Sequence, residues 1–114
     1  MNRKAYILLL EEDALLHPLV VRWLGEAGYD VATQALIDSG PALVIADVPD
    51  PRSAEALVRS LREYAAPILL VSARFRSGLA RSMDAARRLG VRKVLPKPFS
   101  RQELLDAVRE AVEE

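Results

Sequence analysis

The sequence predicts an α/β domain, a doubly wound five-stranded parallel sheet with helices on both faces. Three observations carry that prediction. Four segments of strand length rich in apolar residues, Ala5–Leu10, Leu43–Val48, Ile68–Val71 and Val91–Leu95, recur along the 114 residues, with a shorter fifth at Tyr29–Thr33. Between most of them lie apolar residues at helical spacing, so strands alternate with helices. Ala5–Leu10 and Ile68–Val71 are also continuously apolar, the pattern of strands buried on both faces.

Each element follows from its residues. After the first strand, Leu15, Leu16, Leu19, Val20, Trp23, Leu24 and Ala27 keep helical spacing and stop at Gly28, a C-cap candidate. Pro18 lacks an amide, so this helix starts near residue 17 or bends there. Asp13 suits its N-cap. Ala35-Leu36-Ile37 supports a stub of helix at best before the Ser39-Gly40-Pro41 break. Asp50-Pro51 is a cap and first helical position for a helix with Ala54, Leu57, Val58 and Leu61 inward. A polar stretch, Arg74 to Gly78, precedes a helix carrying Leu79, Met83, Ala86 and Leu89 and closed by Gly90. Ser100 and Glu103 form a capping box for the last helix, which buries Leu104, Leu105, Val108, Ala111 and Val112. The whole chain, 1–114, reads as one domain, with no repeat or linker.

Composition excludes several function classes. With 51% hydrophobic and 28% charged residues the chain is globular, not disordered. Its 16 basic and 16 acidic side chains cancel, which argues against a nucleic-acid binder. Arg87, Arg88, Arg92 and Lys93 read as a solvated face, as do Arg74, Arg76 and Arg81. Without cysteine there is no disulfide or thiolate metal site. Ala5–Leu10 is too short for a signal segment or membrane span. The expectation is a cytoplasmic domain, away from membranes, with no effector unit of its own. His17, the one histidine, reads as a surface or partly buried helix residue, and Trp23 and Met83 as core.

The chemistry sits at the strand ends. Leu10 runs into Glu11 and Glu12, Ala46 into Asp47, Val71 into Ser72, and Leu95 leads to Lys97-Pro98. Parallel strands would gather these three carboxylates, a hydroxyl and an ammonium at one sheet edge, where open α/β sheets place their sites. A carboxylate cluster binds a divalent cation, a lone Asp can accept a phosphoryl group, and Lys with Ser can hold its oxygens.

Taken together, Ile7–Leu16, Pro41–Val48, Pro67–Ala73 and Gly90–Phe99 make the chain similar to the receiver domain of two-component response regulators. The resemblance implies a flavodoxin-like fold of strand order 2-1-3-4-5, here with a shortened second helix. It implies that Asp47 is the phosphoacceptor, phosphorylated by a sensor histidine kinase or phosphotransfer protein. Glu11, Glu12, Asp47 and the backbone carbonyl of Pro49 would hold Mg2+. Ser72 and Lys97 would bind the phosphoryl oxygens, and the Lys97-Pro98 bond would be cis. The face of the fourth helix, fifth strand and fifth helix would signal to a downstream protein or a homodimer partner. Such a domain is a phosphoprotein and no enzyme beyond its own phosphorylation and dephosphorylation. A dianionic phosphoryl beside two glutamates and one lysine calls for the metal.

Departures leave an alternative open. The family has Asp where Glu12 stands, and magnesium demands near-ideal octahedral geometry that an extra methylene disturbs. Val94 replaces the aromatic residue that couples to the switch hydroxyl, and the segment from Gly28 to Asp47 is short while Arg74 to Gly78 is long. A phosphorylation-independent interaction module with the same fold would carry these changes. Phosphatases of haloacid-dehalogenase type fit less well, because Pro49 occupies the place of their second Asp. A flavodoxin proper is disfavoured because Glu11-Glu12-Asp13 would repel a flavin phosphate.

Overall fold

The computed structural model describes residues 5–36, 39–48, 51–73 and 79–113. Five parallel strands, β1 (Tyr6–Leu10), β2 (Asp30–Ala32), β3 (Leu43–Asp47), β4 (Ile68–Ser72) and β5 (Lys93–Pro96), form one sheet in the order β2-β1-β3-β4-β5. The α-helices are α1 (Leu16–Glu26), α2 (Ala54–Leu61), α3 (Leu79–Leu89) and α4 (Arg101–Glu113). A 3-10 turn, Pro51–Ser53, leads into α2, and another, Arg62–Tyr64, follows it.

Side-chain alternation along the strands divides the core in two. Ile7, Leu9, Leu43, Ile45, Leu69, Val71 and Leu95 face α1 and α4, against Val20, Leu24, Leu104 and Val108. Tyr6, Leu8, Val44, Ala46, Ile68, Leu70 and Val94 face α2 and α3, against Ala54, Val58, Ala85 and Leu89. Register carries a single row across four strands, Leu10 to Ala46 to Leu70 to Val94. The polar residues of the strand ends lie just beyond that row.

The helix starts show the expected chemistry. Asp13 Oδ1 accepts from the Leu15 and Leu16 amides (2.8 and 3.1 Å) and its carbonyl from the His17 amide, so it caps α1. Pro18 falls in the first turn of α1, where its missing amide costs little. Ser100 and Glu103 exchange the two bonds of a capping box at 2.9 and 3.0 Å. Gly28 and Gly90 both close helices with positive φ.

Several expectations need correction. Residues 33–36 and 39–42 carry no helix, and Ile37 lies outside the described residues, as do Pro49, Asp50 and the Arg74 to Gly78 stretch. In place of a helix, the Tyr6 hydroxyl pins this connection, donating to the Ser39 carbonyl (2.8 Å) and accepting from the Leu36 amide (3.2 Å). Met83 and Val112 are exposed, not core, because helical spacing selects a stripe wider than the surface the sheet covers. Leu15 precedes α1 and is 87% exposed; Leu19 and Ala27 are exposed as well. Trp23 is only half-buried at the edge of the α1–α4 layer.

Candidate functional site

Glu11, Asp47 and Lys97 fall on one side of the sheet edge for a simple reason. Glu11 continues the parity of Ile7 and Leu9, Asp47 that of Leu43 and Ile45, and Lys97 that of Leu95. The three meet. The Lys97 Nζ donates to Asp47 Oδ1 at 2.8 Å and lies 3.1 and 3.0 Å from Oε1 and Oε2 of Glu11. Their side chains are 14% (Lys97), 18% (Asp47) and 1% (Glu11) exposed, so Glu11 is the buried member. Burial alone would push the Lys97 ammonium down. Its bonds to Asp47 and Glu11, with their charges, more than offset that and hold its pKa above the ordinary lysine value.

Backbone groups fix Glu11 further. Its Oε1 accepts from the Asp13 amide at 3.1 Å, and its carbonyl accepts from His17 Nδ1 at 2.9 Å. His17 therefore braces the loop after β1, a role its sequence context did not signal. Ser72 has the opposite parity, is buried at the end of β4, and its carbonyl accepts from the Lys97 amide at 2.9 Å. The Lys97-Pro98 bond is cis, as the resemblance implies. Val94 is buried two strands from Ala46, in the layer of α2 and α3.

Glu12 does not join them. It is exposed, and among the described residues no group of three carboxylate or imidazole side chains is placed to hold a metal ion. The donor chemistry suits a hard cation, but both Glu11 oxygens are engaged by Lys97 and the Pro49 carbonyl lies outside the described residues. The carboxylates present therefore do not form a ready divalent-cation site.

Beside Lys97 opens a groove of about 460 Å3, lined chiefly by Leu15, Leu16, Leu19, Trp23, Pro98 and Phe99. Periodicity assigned its leucines to the core. Only the position of the α1 start shows that Leu15 cannot reach it.

No protein-family model matches the chain, and no curated protein is similar to it. Solved structures are. A response regulator of Thermotoga maritima superposes with a TM-score of 0.75 at 20% identity, over 98% of this chain and 100% of that one. A response regulator receiver protein of Burkholderia phymatum gives 0.73 at 24% identity, over 96% of each chain. The chain has the response regulator receiver fold. The non-phosphorylated HemR receiver domain of Leptospira biflexa, 25% identical over 97% of this chain and 96% of its own, gives 0.70. Among the described residues of this receiver fold, no helix is long and apolar enough to cross a membrane.

Proposed function

We propose that the chain is a two-component receiver in which Asp47 accepts a phosphoryl group from a sensor histidine kinase or phosphotransfer protein in the cytoplasm. The observation that supports this reading is the 2.8 Å ion pair of Asp47 with Lys97 at the sheet edge, beside the buried Ser72. With Oδ1 held by Lys97, Asp47 presents its second oxygen, Oδ2, for in-line attack on a phosphohistidine. The P–O bond forms as the P–N bond breaks, and the ring, protonated on its other nitrogen, leaves as neutral imidazole. Lys97 neutralises an oxygen of the acyl phosphate, and Ser72 supplies the hydroxyl that answers the new charge once its side chain turns toward it. With no helix described between β2 and β3, the output face named from the sequence corresponds to α3, β5 and α4. A downstream protein or a second copy would read it there.

A second reading is favoured by a specific observation. Lys97 spans Glu11 as well as Asp47 while Glu12 stays in solvent, a closed arrangement suited to a module that binds its partner unphosphorylated. Intact-protein mass spectrometry after incubation with a small acyl-phosphate donor separates the two, with Asp47→Asn as control. An alkali-labile gain of one phosphoryl group, absent from the control, is the expected result. No gain at high donor and magnesium concentration would leave the phosphorylation-independent module as the function.

A further inference from the structure

We infer that the amino-terminal edge of the sheet carries a further binding site, a pocket that takes a phosphate monoester between Arg62 and Arg92. It lies at the opposite end of the strands from Asp47, Ser72 and Lys97 and stands independently of what they do. The pocket, of about 510 Å3, opens where β4 and β5 begin, lined chiefly by Arg62, Pro67, Ile68, Gly90, Val91 and Arg92. That volume lies within the range of small-molecule pockets. Its lining holds two arginines and no acid. Glu63 lines a different pocket, beside Tyr6 and Gly40, and Glu110 is paired with Lys93.

The two guanidinium groups arrive from different elements. Arg62 ends α2, and its side chain crosses to the turn after α3, where Nη2 lies 3.2 Å from the place a Cβ on Gly90 would take. Among the described residues no carboxylate pairs with it. Arg92 is half-buried, unlike the solvated residue its charge run predicts. Its Nη1 donates to the Ala111 carbonyl in the last turn of α4 at 2.8 Å. That bond anchors the guanidinium and leaves its other N–H donors for a ligand. Phosphate oxygens accept such forks bidentately, and two positive charges match the dianion of a monoester better than the single charge of a carboxylate. Pro67, Ile68 and Val91 give an apolar wall for the esterified group. The competing role is structural: helices end at this edge, and their carbonyl ends attract cations by themselves.

The test follows 1H–15N correlation spectra of the full chain during titration with phenyl phosphate. Co-sedimentation with phosphatidylcholine vesicles, with and without phosphatidic acid, asks whether the monoester is a lipid headgroup instead. The expected result is saturable movement of the Gly90, Val91 and Arg92 amides, with affinity about tenfold weaker in Arg62→Gln and falling with added salt. Arg92→Lys, which keeps the charge and loses the fork, should weaken binding too. Sedimentation with phosphatidic acid alone, lost in Arg62→Gln, would support the site and place the monoester on a lipid. Response to neither probe would overturn the inference and leave the arginines as partners of helix ends. Shifts confined to the amides of Asp47, Ser72 and Lys97, or binding that both variants leave unchanged, would overturn it as well.

Discussion

Replacing Lys97 by Met leaves the buried Glu11 carboxylate facing Asp47 without its counter-charge. Breaking a largely buried ion pair from one side costs about 3 kcal/mol, which urea denaturation at neutral pH would read directly. The sign of its pH dependence follows from the raised pKa of the ammonium. The stabilisation is whole below the unfolded lysine value of about 10.4 and is lost as pH rises through the higher folded value. The gap between wild type and variant should therefore stay constant from neutral pH to about 10 and narrow above it. Tyr6→Phe tests a different residue. It removes the hydroxyl that holds Ser39 and Leu36, and two partly buried hydrogen bonds are worth about 1–2 kcal/mol. Faster hydrogen exchange at the Leu36 amide would accompany the loss. The identities of Asp47, Lys97 and Ser72 could be read from the sequence because each ends or follows an apolar run. What Glu11 and Glu12 do could not, since two adjacent glutamates differ only in which side of the strand end they occupy. The structure turns Glu11 inward and leaves Glu12 outside.

At the scale of elements, termini were more legible than faces. Caps depend on residues close in sequence, so Asp13, Ser100 and the two closing glycines are visible without a fold. Ser100→Ala should cost about 1 kcal/mol and expose the amide of Glu103 to exchange. Gly90→Ala should cost about 1–2 kcal/mol, because a Cβ is strained at its φ of +73°; that Cβ would also press to 3.2 Å from the Arg62 guanidinium, whose far end can shift. Faces depend on what the helix meets, and there periodicity alone over-counted. Leu24, fully buried against the sheet, should lose about 2–5 kcal/mol on truncation to Ala. Leu15, on the same apparent stripe, should change stability by less than about 0.5 kcal/mol. Thermal or urea unfolding of the pair measures how much of the apparent stripe of α1 is core and how much is groove.

Across the whole molecule, alternation of strands and helices implied the two-layered sheet, and the likeness of its strand-end motifs implied the strand order. Strand parity then explains why Glu11, Asp47 and Lys97 converge while Ser72 and Val94 look toward the other layer. Convergence of two carboxylates on one ammonium leaves the trio with a single net negative charge in the absence of metal. That has a consequence for global stability. A ligand that binds only the folded state raises unfolding free energy by RT ln(1 + [L]/Kd), about 1.4 kcal/mol at ten times Kd. For a domain of this size such a gain lifts the thermal midpoint by about 5 °C. With both Glu11 oxygens on Lys97 and Glu12 exposed, the described carboxylates of the wild type offer magnesium little of that gain. The wild-type midpoint should accordingly differ by less than about 1 °C between chelator and millimolar magnesium, while that of Lys97→Met, lower in chelator, should climb by several degrees. Differential scanning calorimetry of both proteins in both buffers gives the four midpoints. A wild-type rise as large as the variant's would mean that the ammonium and the metal occupy the site together.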